Sequence, residues 1–496
     1  MKLTIKRIEG FYSSFFRKAS ESFKKKNYNK TIDFIRAAAF TRYSFFLGYK
    51  DDAIENLLKD LSNCLIRSNC SVRIDCKRCV VYDAFSMDNG GLIMQYINAL
   101  IANKYHIIYI TEKAHFLSLK SEIRRSLESY GDSEIIMVPK DLMPFEKAQF
   151  VYDAIIKTKA DKILVHTAPE SVYANVALYA LPQDIKRYKI NLTDHTFWVG
   201  AGCIDYSLEF RPWGRRITHE KRGLSKDRIY VVPFYPIMNH VGFLGFPESP
   251  QNKVVILSGG SYYKIFDEDD TFFKLSKSIL DACPNAIILF AGTGDKMVMN
   301  RKLMQYSLTN RFILLGYRKD ITELFENCDI YINTFPCSGG LMTQYAAQKG
   351  KPIVGFYTHY TSKVEEFVCQ RKWMELSFDS FEKVVARMKV LTQSENERRK
   401  LGDEIRKCVI TPDIFNELVE KCLENKYENL DSDADIEDKG NTHEANPSVK
   451  IEYEASNKEF SRALVKSVGL SVVRHIPILF FDAIYNSVKR KSFGHI

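Results

Sequence analysis

Over the first seventy positions, apolar residues recur at helical spacing. Ile5, Ile8, Tyr12, Phe15, Phe16, Ala19 and Phe23 follow one another at intervals of three or four, with Lys and Arg between them. That is the stripe of an amphipathic helix. TIDFIRAAAFTRYSFFLG and DAIENLLKDLSNCLI continue the pattern, so residues 1–70 are predicted as a helical extension. From Cys79 the rhythm changes to short apolar runs separated by helix-length mixed segments. CVVYDAF, HIIYIT, EIIMVP, KILVHT, KINLTD and IYVVPFYP form a first series. VVILSGG, AIILFAG, RFILLGY, DIYINTF and PIVGFY form a second, after the loop GFPESPQN. Strands alternating with helices predict an α/β protein with two doubly wound parallel sheets, one over 71–246 and one over 247–427. Pro247 to Asn252 is the expected linker between them. Residues 428–456 read as an acidic disordered linker, and 457–496 as a basic amphipathic helical tail.

Charge sharpens this division. The chain of 496 residues carries 71 Lys and Arg against 61 Asp and Glu, a formal +10. Residues 1–50 hold +9, residues 457–496 hold +5 and residues 428–454 hold −7, which leaves +3 for residues 51–427. A nearly neutral body lacks the broad basic face that nucleic acid requires. The basic ends pair their charge with apolar helical faces, the composition of an interfacial helix on an anionic membrane; packing on the body is the alternative. Lys6, Arg7 and Glu9 interrupt the apolar residues at the start, so no secretory signal is read there, and no window is apolar enough for a membrane span. Eleven cysteines, an odd number, fit reduced thiols in a cytoplasmic protein. Cys76 and Cys79 have metal-ligand spacing, with Cys64 and Cys70 nearby, but no matched second pair follows; no metal is expected.

In doubly wound sheets, ligands bind beyond the carboxyl ends of the strands, so residues at those ends are the candidates for chemistry. VVILSGGSYYKIF places Gly259, Gly260 and Lys264 after a strand, where a backbone approach and an ammonium suit a diphosphate, or where a tight turn simply ends. RFILLGYRKD places Tyr317 and Arg318 at a strand edge; the ring either stacks on a base or packs. YINTFPCSGGLMTQYAAQKG runs from a strand through Ser338, Gly339 and Gly340 into a helix beginning near Leu341, whose N-terminus suits a diphosphate. Cys337 in that loop has no His with a claim to partner it, and is read as a packed thiol. In the first half, Asn89, Gly90 and Gly91 repeat the strand–glycine–helix pattern. Asp194 and His195 close another strand and suit a general base with its orienting carboxylate, or a hydrogen-bonded turn. His166 is the competing base. Glu209, Arg211 and Arg222 either bind acceptor or phosphate or pair with one another.

These motifs resemble those of nucleotide-sugar-dependent glycosyltransferases of the GT-B fold, over roughly residues 79–425. VVILSGGSYYKI resembles a segment of O-GlcNAc-transferase-like enzymes in which the lysine contacts the donor diphosphate, here Lys264. RFILLGYRKD resembles the segment lining the donor base, and YINTFPCSGGLMTQYAAQKGKPIV the last donor-binding strand, loop and helix. DNGGLIMQY and DHTFW resemble loops of bacterial surface-polysaccharide transferases. The resemblance implies two facing Rossmann-like domains, an acceptor domain before a donor domain. It also implies a UDP-sugar as substrate, no cofactor and no metal, and a glycan or lipid-linked acceptor. The reduced thiols and the basic ends give the expected location: cytoplasmic, with the inner face of the cell membrane as the surface the ends would meet.

Retaining members place two Glu eight residues apart around the last helix; here those positions are Cys337 and Tyr345. That departure favours an inverting reaction with His195 as base, and leaves Gln344 or Tyr345 to contact the ribose. A UDP-sugar 2-epimerase and a non-catalytic scaffold of the same fold are the alternatives.

Overall fold

The computed structural model describes residues 4–67, 75–85, 92–112, 121–238, 241–247, 250, 252–358, 361–369, 373–427 and 460–493. Asn89, Gly90 and Gly91, Cys70, and the acidic segment 428–456 lie outside them.

Two parallel sheets account for all the strands described. The first contains β1 (Asp75–Asp83), β2 (His106–Thr111), β3 (Ser133–Met137), β4 (Ala160–His166), β5 (Lys186–Asn191), β6 (Tyr206–Glu209) and β7 (Ile229–Val231), in the order β3-β2-β1-β4-β5-β6-β7. The second contains β8 (Val254–Gly259), β9 (Ala286–Ala291), β10 (Phe312–Gly316), β11 (Ile330–Ile332), β12 (Ile353–Phe356) and β13 (Ser377–Phe378), in the order β10-β9-β8-β11-β12-β13. Both central strand sets are buried on both faces, as runs such as Val80 to Tyr82 and Ala286 to Ala291 require.

The pattern had not signalled β6 or β13. β6 is four residues long and contains Ser207 and Glu209. Their polar groups are satisfied inside: Glu209 accepts from Asn191 Nδ2 (2.9 Å), Ser207 Oγ (2.6 Å) and Thr218 Oγ1 (2.7 Å). Burial pushes the Glu209 carboxyl up, against the opposing pull of Arg222 and these donors.

The helical extension is built into the first sheet. Helices α1 (Ile5–Lys24), α2 (Tyr28–Ser44) and α3 (Asp52–Ser62) share one hydrophobic core with Val80, Tyr82, Ile108 and Ile163. Ile5, placed on the apolar stripe by spacing alone, is instead 63 % exposed. Asp51 caps α3 through the N–H groups of Ala53 and Ile54 (both 3.0 Å), accepts from Tyr12 Oη on α1 (2.5 Å) and pairs with Arg42 of α2 (2.5 Å), locking the three helices together. The tail joins the same core. Phe460, Leu464, Val468, Val472, Val473, Ile476 and Leu479 are buried, and the Phe460 ring packs on Phe45 (centroids 4.7 Å apart) and Phe40 (5.9 Å).

The segment 247–427 is divided between the two sheets. Its last helix, Pro412–Leu423, packs in the core of the first sheet, with Phe415 edge-on to Tyr96 (5.1 Å) and Tyr235 (5.4 Å).

Candidate active site

In each sheet the strand order reverses once at a point where a crevice opens beyond the carboxyl ends. In the first sheet that point lies between β1 and β4, whose final residues Asp83 and His166 are register neighbours. In the second it lies between β8 and β11, followed by the loops bearing Lys264 and Ser338. The Cys337 N–H donates to the Lys264 carbonyl (3.2 Å), so these two loops are stitched together.

Asn333, at the end of β11, shapes the glycine loop. Its Oδ1 accepts from the Gly339 N–H (3.0 Å) and its Nδ2 donates to Ser338 Oγ (3.0 Å), while Thr334 Oγ1 donates to the Cys337 carbonyl (2.6 Å). The loop delivers the chain into the helix Gly340–Gln348, which no side chain caps. Its first turn therefore keeps the N–H groups and partial positive charge that attract a diphosphate. Lys264 Nζ lies 3.5 Å from the Ser338 carbonyl, beside that terminus. Tyr317 stands 75 % exposed beyond β10, a free ring face rather than a packed one.

Several expected donor contacts have other employment. A Cβ on Gly259 would come within 2.5 Å of the Ala291 carbonyl, and one on Gly340 within 2.8 Å of the Phe367 ring. Packing, not ligand approach, demands glycine at both. Gly260, with φ +137°, adopts a conformation that side chains rarely take. The Gly339 N–H is taken by Asn333. Arg318 pairs with Asp320 and donates to the Gly245 carbonyl (2.9 Å), clamping the chain just before the linker instead of facing a ligand. Gln344 Nε2 donates to the Phe367 carbonyl (2.9 Å) and Tyr345 Oη to the Ile237 carbonyl (2.8 Å), so neither side chain is turned to a ribose. Cys337 is buried.

The His195 loop follows β5. Asp194 is fully buried and accepts from Arg211 Nε (2.6 Å) and Nη2 (3.1 Å) and from His195 Nδ1 (3.3 Å). Burial raises its carboxyl, but the Arg211 charge and the His195 bond outweigh that and hold it down at about 2. Arg222 fastens the loop from beneath, donating to the carbonyls of Asp194 (2.8 Å) and Thr196 (2.7 Å). Glu209, Arg211 and Arg222 thus serve the architecture of this loop. His195 keeps part of its ring exposed. His166 does not: its Nδ1 is 2.9 Å from Asp83 Oδ1, Tyr109 Oη donates to Asp83 Oδ2 (2.5 Å), and its buried Nε2 has no partner among the described residues.

Arg211 then crosses to the other sheet. Its Nη1 donates to Ser362 Oγ (2.6 Å) and lies 3.3 Å from Glu366 Oε2. Ser338 Oγ donates to the Ser362 carbonyl (3.4 Å). A polar chain therefore runs His195–Asp194–Arg211–Ser362–Ser338–Asn333, joining the histidine loop to the glycine loop. Nothing in the plain segment TSKVEEF marked Ser362 or Glu366 in advance; Asn333, a lone amide ending an apolar strand, could have been noticed.

No protein-family model matches the chain, and no curated protein matches it in sequence. Its structure does have counterparts. A variant of the Thermobaculum terrenum O-GlcNAc transferase is 14% identical over 86% of this chain and 78% of its own, with TM-score 0.52. The fold is GT-B. A glycosyltransferase from Rickettsia africae ESF-5 is 13% identical (71% of this chain, 99% of its own, TM-score 0.51). HepE of Anabaena, solved with UDP, is 12% identical (70% and 99%, TM-score 0.50). At such identities the likeness is one of fold. In this GT-B chain, the polar chain through Arg211 and Ser362 links His195 and Asp194 to the loop of Ser338 and Lys264, while Tyr317 follows the edge strand β10. Among the described residues, no group of three or more His, Cys, Asp or Glu could hold a metal ion.

Proposed function

We propose that this protein is a glycosyltransferase that moves a hexosyl or N-acetylhexosaminyl group from a UDP-sugar to a glycan or lipid-linked acceptor in cell-surface polysaccharide synthesis. In this reading the reaction inverts the anomeric centre and uses no cofactor. The observation that carries it is the polar chain from His195 to Ser338, which sets a proton-accepting ring on one sheet against a diphosphate-binding loop on the other. The UDP bound by HepE, of the same fold, supports uracil as the donor base.

Asp194 accepts the Nδ1–H of His195, which leaves Nε2 with the lone pair that takes the acceptor's hydroxyl proton. As that oxygen bonds to the anomeric carbon, the carbon–oxygen bond to the diphosphate breaks and its electron pair leaves with UDP. Lys264 and the first-turn N–H groups at Gly340 and Leu341 meet the charge that develops. Tyr317 stacks on the base. The enzyme works in the cytoplasm, where a lipid-linked acceptor is presented at the inner face of the membrane.

Purified protein incubated with UDP-sugars tests this. UDP release that requires an acceptor supports transfer; a 2-epimer formed without acceptor would establish the epimerase instead, and binding without turnover the scaffold. His195→Asn is expected to lower kcat by about 10²–10⁴-fold, and Lys264→Ala by about 10²–10³-fold. One observation favours a second base: the Nε2 of His166, at the switch point of the first sheet, has no partner among the described residues. If His195→Asn retains turnover and His166→Asn abolishes it, the proton goes to His166.

A further inference from the structure

The tail was expected either to reach out to a membrane or to pack on the body. The structure shows one face packed and the other bare. Val472, Val473, Ile476, Leu479 and Ala483 point into the core shared with the N-terminal helices or lie buried beside it. On the opposite side of the helix Pro477–Phe493, Ile478, Phe481, Ile484 and Tyr485 are exposed, Phe481 by 66 % and Tyr485 by 64 %. Positions 478, 481 and 485 follow the three-and-four spacing of a single stripe, and exposed Leu470 extends the apolar surface at its start. An apolar ridge on a helix already anchored by its other face has no covering partner within the described chain.

Positive charge collects where this ridge begins. Arg474 and Lys30 are exposed, and with Lys18 they surround His475, which packs on Phe34 of α2 (5.3 Å). Burial and the charges of Lys18, Arg474 and Lys30 together push the His475 imidazole below its usual range. Lys489, Arg490 and Lys491 follow in sequence at the far end. No helix among the described residues is long and apolar enough to cross a membrane.

We propose that the two chain ends form a single docking surface for an anionic lipid bilayer, in which Phe481, Ile484, Tyr485 and Ile478 enter the headgroup boundary while Lys30 and Arg474 meet lipid phosphates. Aromatic and aliphatic side chains beside cations suit that boundary, where apolar burial and attraction to anionic lipid add. A protein partner of opposite charge is the other occupant the same surface would accept, and the experiment separates the two. The proposal sharpens the membrane placement of the preceding section but stands apart from the chemistry, because its readout needs no turnover.

The full-length protein is sedimented with phosphatidylglycerol vesicles and with phosphatidylcholine vesicles. Binding to the first, weakened by salt and much lower on the second, is expected. Phe481→Ser with Ile484→Ser, and separately Lys30→Glu with Arg474→Glu, are each expected to lower partitioning by about tenfold or more. These substitutions lie on the exposed face, so an unchanged melting temperature shows that the tail stays docked. Wild-type protein left in the supernatant with phosphatidylglycerol, or ridge variants that sediment as wild type does, would overturn the proposal. So would a stable dimer that the ridge variant dissociates and that does not bind vesicles.

Discussion

Asp194 is the residue on which most of the site converges, and its environment makes a pH prediction. Its carboxyl ordinarily titrates near 3.8 and is held at about 2 in the fold. A depressed acid stabilises the native state above its unfolded value and loses that contribution as pH falls through the folded one. Urea unfolding should therefore show about 2 kcal/mol of stability disappearing between pH 4 and pH 2, and Asp194→Asn should flatten that limb. Lys189 gives a slope of the same sign in a higher pH window. Buried against Trp198 and donating to Thr167 Oγ1 (2.6 Å), it is pushed down to about 7 by desolvation. The folded state binds fewer protons than the unfolded one between pH 7 and pH 10.5, so stability should rise across that window. Lys189→Met should remove most of that slope; a wild-type protein whose unfolding free energy is level from pH 7 to pH 10 would contradict it. At this scale His195, Asp194 and Lys264 could be singled out as candidates because strand-end residues with acid–base or cationic chemistry stand out. Arg211's bridge to Ser362 was not, since 151 residues separate partners that only the approach of two sheets brings together.

Among the elements, the helical extension braces the histidine loop. Glu55 on α3 accepts the N–H groups of Gly200 (2.8 Å) and Gly202 (3.0 Å), five and seven residues beyond His195, and also the hydroxyl of Tyr179. Glu55→Ala would leave the buried Gly200 N–H without its acceptor, at about 1–3 kcal/mol, and release two partly exposed donors, Gly202 N–H and Tyr179 Oη. Turnover should fall while the KM for donor stays, because the brace touches the histidine loop and not the glycine loop; Glu55→Gln should restore part of the loss. Nothing in the helical spacing of DAIENLLKDLSNCLI set this carboxylate apart. Elements that bury apolar runs on both faces were readable from those runs alone, whereas β6 was not, because its Ser207 and Glu209 are made compatible with the interior by partners on other elements.

For the whole molecule, the ends of the chain are parts of the body. Deleting 457–496 uncovers the apolar surface of α1 and α2, so that truncation should lower the melting temperature and cannot serve as a clean test of membrane binding. Phe460→Ala alone should cost about 3–5 kcal/mol. Helix Pro412–Leu423 likewise ties the segment after the second sheet to the first, and with Arg211 it makes the two halves mechanically continuous across the crevice.

By itself the sequence determined the elements and the class: strand runs alternating with helices, glycine-bearing strand ends, and charge gathered at the termini. Those are local properties, set by periodicity, backbone freedom and the sign of side chains. Only the tertiary structure decided which strand ends are switch points, because strand order is a non-local choice of pairing. It also decided which glycines serve packing and which polar residues are already spent on one another, since a hydrogen bond consumed inside the protein is unavailable to a ligand. The tail shows the same division. Its spacing specified an amphipathic helix, and the fold assigned one face to the core and left the other to the surface.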